Sequence, residues 1–262
     1  MAKVKGISKK AKAAHLEKLK KYMIVLQYLG TKYHGWQIQS GQITVQGVLR
    51  DALTTLAGIP VQISGASRTD SGVHALGQVA HLWFPEKETI PDLRKALNAI
   101  LPRDIRVLRL ERVPGHFHAQ KSARKKRYEY RIFNGPVLPP FLYGRVCHIV
   151  HPLNFSEMQR GTELLVGTHD FSGFAAATTS AQNRVREISH SEFTKRGRHL
   201  VYRVEGSGFL HHMVRNIVGT LLEVGLEKRP YTDVTSILES ADRRNAGVTA
   251  VPEGLYLVRI WY

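Results

Sequence analysis

The 262-residue chain has a single cysteine, Cys147. One thiol excludes an internal disulfide and any metal site built from several thiolates, and it fits a reducing compartment. No apolar run approaches the roughly 20 residues of a membrane-spanning helix, and the charged amino-terminal stretch has no signal-peptide core. Four motif classes are also missing: the Gly-rich phosphate loop, G-x-G-x-x-G after a strand, H-E-x-x-H and the G-x-S-x-G elbow. Nothing therefore supports a nucleotide-dependent, redox or serine-hydrolase mechanism. His211 and His212 are adjacent, and on a helix neighbouring side chains point in different directions, so the pair predicts no metal site.

Acidic residues are scarce as well: 21 against 38 lysines and arginines, a formal net charge of +17. So much like charge repels itself unless a polyanion is near, which points to nucleic acid or, less often, a membrane surface. Residues 1–21 hold eight lysines, one acid and no arginine. Mitochondrial transit peptides are Arg-rich and acid-poor, so this stretch reads instead as a basic arm for phosphate contact. The second basic cluster, KSARKKRYEYRIF at 121–133, interleaves aromatics with charge. Alternation of Tyr128, Tyr130 and Ile132 predicts a strand whose one face serves either base stacking or the core.

Hydrophobic content of 43% is that of a globular protein large enough for one domain or two small ones. The chain predicts a strand at 22–30, a helix at 45–56 capped by Thr44, and strands at 61–67 and 78–84. A short helix at 91–100 and a strand around 105–113 complete the first half. The second half repeats that order: a strand at 127–133, a helix near 155–166 capped by Asn154 or Ser156 and closed by Gly167, and strands near 185–194 and 199–206. Helices near 210–224 and 232–241 then precede a final strand, GLYLVRIWY. The pattern predicts an α+β fold of two sheet-bearing subdomains around a cleft, divided at Pro114–Gly115. The expected parts are the basic tail 1–21, an N-terminal subdomain 22–113 and a C-terminal subdomain 114–262.

Within this frame, SRTDSGVHALGQVAHL at 67–82 sets a lone acid, Asp70, in a turn two residues after Arg68. Asp, Ser and Gly are ordinary turn formers, so the acid is either a turn residue or a reacting group. Leu210, Met213, Val214, Ile217, Val218, Leu221, Leu222 and Val224 form an apolar arc on the 210–224 helix, with Arg215 at its border. An arginine there either extends to solvent or reaches into a cleft and pairs with a carboxylate.

GASRTDSGVHALGQVAH at 65–81 strongly resembles the signature of the TruA family of tRNA pseudouridine synthases. TVQG at 44–47, FHAQKSA at 117–123, RYEYRIFN at 127–134, GTHDFSGF at 167–174, FLHHMVRNIVGTLLEVG at 209–225 and GLYLV at 254–258 follow in the family's order. Ser67 and Ser71 depart from the small Gly and Ala frequent in the family, and leave Arg68, Thr69 and Asp70 intact. The resemblance implies two α/β subdomains with RNA-recognition-like sheets, usually a homodimer, cytoplasmic, with tRNA as partner and neither metal nor cofactor. It implies isomerisation of uridine in the anticodon stem-loop at conventional positions 38, 39 and 40. By matching positions, Asp70 is the essential aspartate, Tyr128 the active-site tyrosine and Arg215 the partner of the aspartate. Leu255 walls the base, and Arg68 helps hold the nucleotide out of the stack.

The chemistry suits these residue types. Pseudouridylation breaks the ribose–N1 bond of uracil, turns the base and rejoins ribose to C5. A carboxylate can attack the ribose carbon or take a ribose proton, and either route needs it ionised in a dry site. An arginine offsets the cost of burying that charge. A flipped base fits between an aromatic face and an aliphatic wall, and a tyrosine hydroxyl can take the C5 proton. Two rivals share the basic surface: a non-catalytic tRNA-binding or chaperoning protein of the same fold, and a synthase for another RNA target.

Overall fold

The computed structural model describes residues 19–86, 92–179 and 181–262. Strand β1 (Leu19–Tyr28) sends Ile24, Leu26 and Tyr28 to one buried face, the period-2 pattern of a half-buried strand. It lies antiparallel between β3 (His74–Pro85) and β4 (Ile105–Arg112). Helix α1 (Val45–Ala57) starts where the Thr44 side chain accepts from the Gly47 amide, and its Val45, Leu49 and Leu53 are fully buried. A three-residue strand, β2 (Ile63–Gly65), flanks β3. Helix α2 (Leu93–Ile100) is capped by the Asp92 carboxylate.

The second half begins with β5 (Lys125–Asn134), beside which β6 (Cys147–Ile149) runs parallel. Helix α3 (Phe155–Glu163), capped by Asn154, is followed by β7 (Gly167–Asp170), β8 (Val185–Arg196) and β9 (His199–Gly206). Helices α4 (Met213–Gly225) and α5 (Asp233–Ser240) precede β10 (Leu255–Trp261). Together the strands form one mixed sheet in the order β4-β1-β3-β10-β5-β9-β8-β7.

The join between the halves is β10. It runs parallel to β3, matching Tyr256 with His74 and Leu257 with Ala75. On its other side it is antiparallel to β5, matching Leu255 with Tyr130 and Leu257 with Tyr128. One cluster of buried apolar side chains accordingly runs through both halves. Each fully buried aliphatic side chain is worth about 1.5–3 kcal/mol, so the apolar face of α4 (Met213, Val214, Ile217, Val218 and Leu221) fixes that helix firmly.

Several boundaries differ from expectation. Leu19–Lys21 belong to β1 rather than to the lysine tail, whose residues 1–18 lie outside the described part, as do residues 87–91 around Pro91. Gly167 does not close a helix. Helix α3 ends at Glu163, and Gly167, at φ 122°, opens β7. Helix α4 begins at Met213 rather than 210 because His212 adopts a left-handed conformation (φ 60°) that interrupts helical geometry.

Candidate active site

The seam made by β10 also makes the site. Asp70 lies in the turn that leads into β3, Leu255 opens β10, and Tyr128 sits opposite Leu257 on β5. These three residues, together with Arg68 and Arg215, line one open cavity of about 730 Å³. That volume lies within the roughly 300–1,000 Å³ usual for pockets holding a small ligand.

The turn bearing Asp70 is fixed from below. Tyr28 shares a buried 2.8 Å hydrogen bond with the Thr69 hydroxyl, and Trp36 N–H donates to the Thr69 carbonyl at 3.0 Å. Gln78 Nε2 donates to the Ser67 carbonyl at 2.7 Å, and Val73 N–H to the Asp70 carbonyl at 3.1 Å. Gly72 takes φ 79° to complete the turn, a conformation that favours glycine. The acid's backbone is thus held rigid while its side chain, 19% exposed, faces the cavity.

Arg215 comes from α4. Its Nη1 donates to Asp70 Oδ2 at 3.0 Å and its Nε to the Ala250 carbonyl at 2.8 Å, so the guanidinium is held from two directions. Its side chain is 13% exposed. Gly219 of the same helix lets the 248–250 segment approach: a Cβ there would collide with the Val248 carbonyl oxygen. Of the two fates open to this helix-border arginine, pairing in the cleft is the one observed.

His211 and His212 depart from the sequence reading. Because His212 precedes the helix in a left-handed turn, the two rings do not diverge. Their centroids are 4.0 Å apart, and their Nε2 atoms lie 3.6 Å from Asp70 Oδ1 and 3.5 Å from Oδ2 respectively. One nitrogen from each ring and a carboxylate oxygen fall within 4.8 Å of one another, so this is where the described residues can present three ligand atoms to a cation. The Arg215 guanidinium on the same carboxylate places a positive charge against that use. Burial lowers the His212 pKa, and Asp70 pulls it up while His211, Arg215 and Arg243 push it down.

Tyr128 is almost wholly buried, and its ring meets Phe209 edge-on with centroids 5.0 Å apart. Burial pushes its hydroxyl up to about 12, with Asp70 adding to the rise against a hydrogen bond from Ser67. That bond, Oη to Ser67 Oγ, is 2.9 Å long. Lys126, two residues earlier on β5, donates to the Ala66 carbonyl at 2.8 Å and lies 3.4 Å from Ser67 Oγ. Burial, helped by Arg186, lowers its ammonium to about 8. Leu255 is 5% exposed and forms a cavity wall. Arg68 is exposed at the cavity and has no hydrogen-bond or ion-pair partner among the described residues.

Sequence reasoning did not single out Ser67, Lys126, Phe209 or the two histidines for the site. Lys126 stood within the basic cluster, with no signal separating it from lysines facing solvent. The histidines stood within FLHHMV, where apolar spacing extends the helical pattern over them.

A family model described as tRNA pseudouridine synthase matches residues 24–120 and 162–262. The chain belongs to this family. A Thermoanaerobacter relative (strain X514), tRNA pseudouridine synthase A, is 45% identical over 244 residues, covering 93% of this chain and 100% of the relative. The protein of the same name from Ruminiclostridium cellulolyticum is 42% identical over 245 residues, covering 93% and 100%. That from Pseudomonas aeruginosa is 42% identical over 238 residues, covering 90% and 84%. The two matched blocks of the synthase model hold Arg68 and Asp70 in the first and Arg215 and Leu255 in the second, while Tyr128 lies in the stretch between them.

Proposed function

We propose that this tRNA pseudouridine synthase isomerises uridine at positions 38, 39 and 40 of the anticodon stem-loop, with Asp70 as its essential nucleophile. What carries the reading is the setting of Asp70, an acid in a rigid turn, paired with Arg215 and facing a cavity walled by Tyr128 and Leu255. Arg215 offsets the cost of burying the carboxylate charge as bound RNA excludes water, and that carboxylate attacks the ribose carbon. That attack breaks the ribose–N1 bond, and the detached uracil turns between the Tyr128 ring and Leu255. C5 then attacks the ribose carbon, breaking its bond to Asp70 and returning the carboxylate. Tyr128 receives the C5 proton. Arg68, exposed and unpartnered among the described residues, holds the flipped nucleotide through its phosphate.

The same reading divides the chain at Pro114–Gly115 into a subdomain carrying Asp70 and one carrying Tyr128 and Arg215. It also makes the enzyme a cytoplasmic homodimer, on the strength of the family resemblance and the lone cysteine; sedimentation of the purified chain checks the dimer. Tritium release from tRNA labelled at uracil C5, comparing wild type with Asp70→Ala, tests the central claim. Release by wild type alone, with both proteins binding tRNA, supports it. Binding without release by either, across a full set of tRNAs, favours the chaperone or a different RNA target.

A further inference from the structure

A hydroxyl whose pKa stands near 12 keeps its proton at neutral pH, so Tyr128 can take another only as it passes its own onward. The structure contains such a path. From Tyr128 Oη it is 2.9 Å to Ser67 Oγ, and from there 3.4 Å to Lys126 Nζ. Residues 126 and 128 share one face of β5, so strand geometry puts the amine beside the hydroxyl, and the Asp70 turn supplies the serine between them.

We propose that Tyr128, Ser67 and Lys126 form a proton relay that carries the uracil C5 proton away from the reacting base to the lysine amine. This rests on the assignment of the cavity to uridine isomerisation. Once ribose is bonded to C5, that carbon holds both ribose and hydrogen, and N1 is an unprotonated imine nitrogen. The C5–H bond breaks and its electron pair restores the ring. The proton passes to Tyr128 Oη as the tyrosine proton moves to Ser67 Oγ and the serine proton to neutral Lys126 Nζ. N1 takes a proton from solvent, and the new ammonium returns one to solvent, so charge and atoms balance.

The surroundings of Lys126 suit a terminal acceptor. It is mostly buried, and it has no carboxylate partner among the described residues. Arg186 on β8 repels its charged form, and Asp70 lies beyond Tyr128. Glu205 is engaged by Lys125 and Arg127, whose side chains alternate with that of Lys126 and leave the opposite face of β5. The ammonium accordingly gives up its proton at about 8, within reach of neutral solution. Ser67 places a hydroxyl within hydrogen-bond distance of both ends of the path.

The test uses full-length protein and tRNA transcripts bearing protium or deuterium at uracil C5, in single turnovers between about pH 6 and 9, which brackets the amine's value of about 8. For wild type, the relay predicts a C5 isotope effect that grows as pH falls below about 8, where protonated lysine can accept nothing. Ser67→Ala and Lys126→Met should each slow turnover roughly tenfold to a hundredfold, keep tRNA affinity and show a large isotope effect at every pH. Their combination should be no slower than either alone. Lys126→Arg decides between relay and simple charge, because a guanidinium keeps the charge but does not accept the proton. If Lys126→Arg and Ser67→Ala both retain the wild-type rate, isotope effect and pH dependence, the relay is overturned. Wild type that binds tRNA yet forms no pseudouridine overturns the underlying assignment as well, and is distinct from that result.

Discussion

Asp70 and Arg215, 145 positions apart in the chain, meet with Oδ2 and Nη1 3.0 Å apart at the cavity wall. The acid belongs to a turn of the first half and the arginine to a helix of the second. Their pairing therefore does two things. It compensates a half-buried carboxylate, and it ties together the two halves whose seam forms the site. Because Arg215 also donates to the Ala250 carbonyl, its position does not depend on the carboxylate alone.

Replacing Arg215 with Met should lower single-turnover tritium release by at least about a hundredfold. It should also cost about 1–3 kcal/mol in urea denaturation, the usual consequence of removing a charged hydrogen-bonding partner. Arg215→Lys should recover only part of both losses, because an ammonium lacks the fork that reaches Asp70 and Ala250 together. A normal rate in a stable Met variant would dismiss the pair.

Tyr128→Phe should leave tRNA affinity within about twofold, because the ring and its contact with Phe209 persist. Turnover should fall by about a hundredfold or more, the usual worth of a proton-transferring group. Filter binding alongside tritium release separates the two effects. Full activity would mean that the hydroxyl takes no proton.

The His212 environment makes a signed prediction. Its pKa is lowered from 6.5 by burial, and Asp70 alone among its charged neighbours raises it. As pH falls below 6.5 the unfolded chain binds this proton before the folded one, so stability declines until folded His212 also protonates. Asp70→Asn removes the upward pull and should move the imidazole titration, followed by NMR, to still lower pH. An upward move would contradict the electrostatic account.

Gly219→Ala should destabilise the protein by about 2 kcal/mol or more in thermal or chemical unfolding, since the new methyl meets the Val248 carbonyl. Activity should fall with it, because displacing the 248–250 segment removes the Ala250 carbonyl from Arg215. Unchanged stability would show that the approach of segment and helix is not tight.

Removing residues 1–18, which carry six lysines, should weaken tRNA binding and flatten its dependence on salt. Each lost phosphate contact reduces the log–log slope by roughly 0.7–0.9. An identical slope with and without the segment would remove it from the interface.

What the sequence disclosed divides along physical lines. The helix at Thr44 and the apolar arc of α4 were legible because caps and periodicity are local, set within three or four neighbouring residues. The meeting of Asp70 with Arg215 is non-local, and periodicity allowed only a border arginine; the resemblance named its partner. His212 was misread because Leu210, Met213 and Val214 carry the helical spacing across it, while a left-handed histidine leaves no mark in composition. Strands β6 and β7, of three and four residues, are too short to show alternation. That Ser67 would bond the Tyr128 hydroxyl was invisible, since it needs the turn and β5 brought together.

The placement of β10 has a consequence for the order in which the protein is made. The strand that joins β3 to β5 comes from residues 255–261, at the far end of the described chain. During synthesis both sets of strands leave the ribosome before their link exists, and the wall contributed by Leu255 arrives with that link. The cavity lined by Asp70 and Tyr128 is thus completed only when β10 pairs with both β3 and β5, a long-range step of the kind that forms slowly and leaves sheet edges open until then.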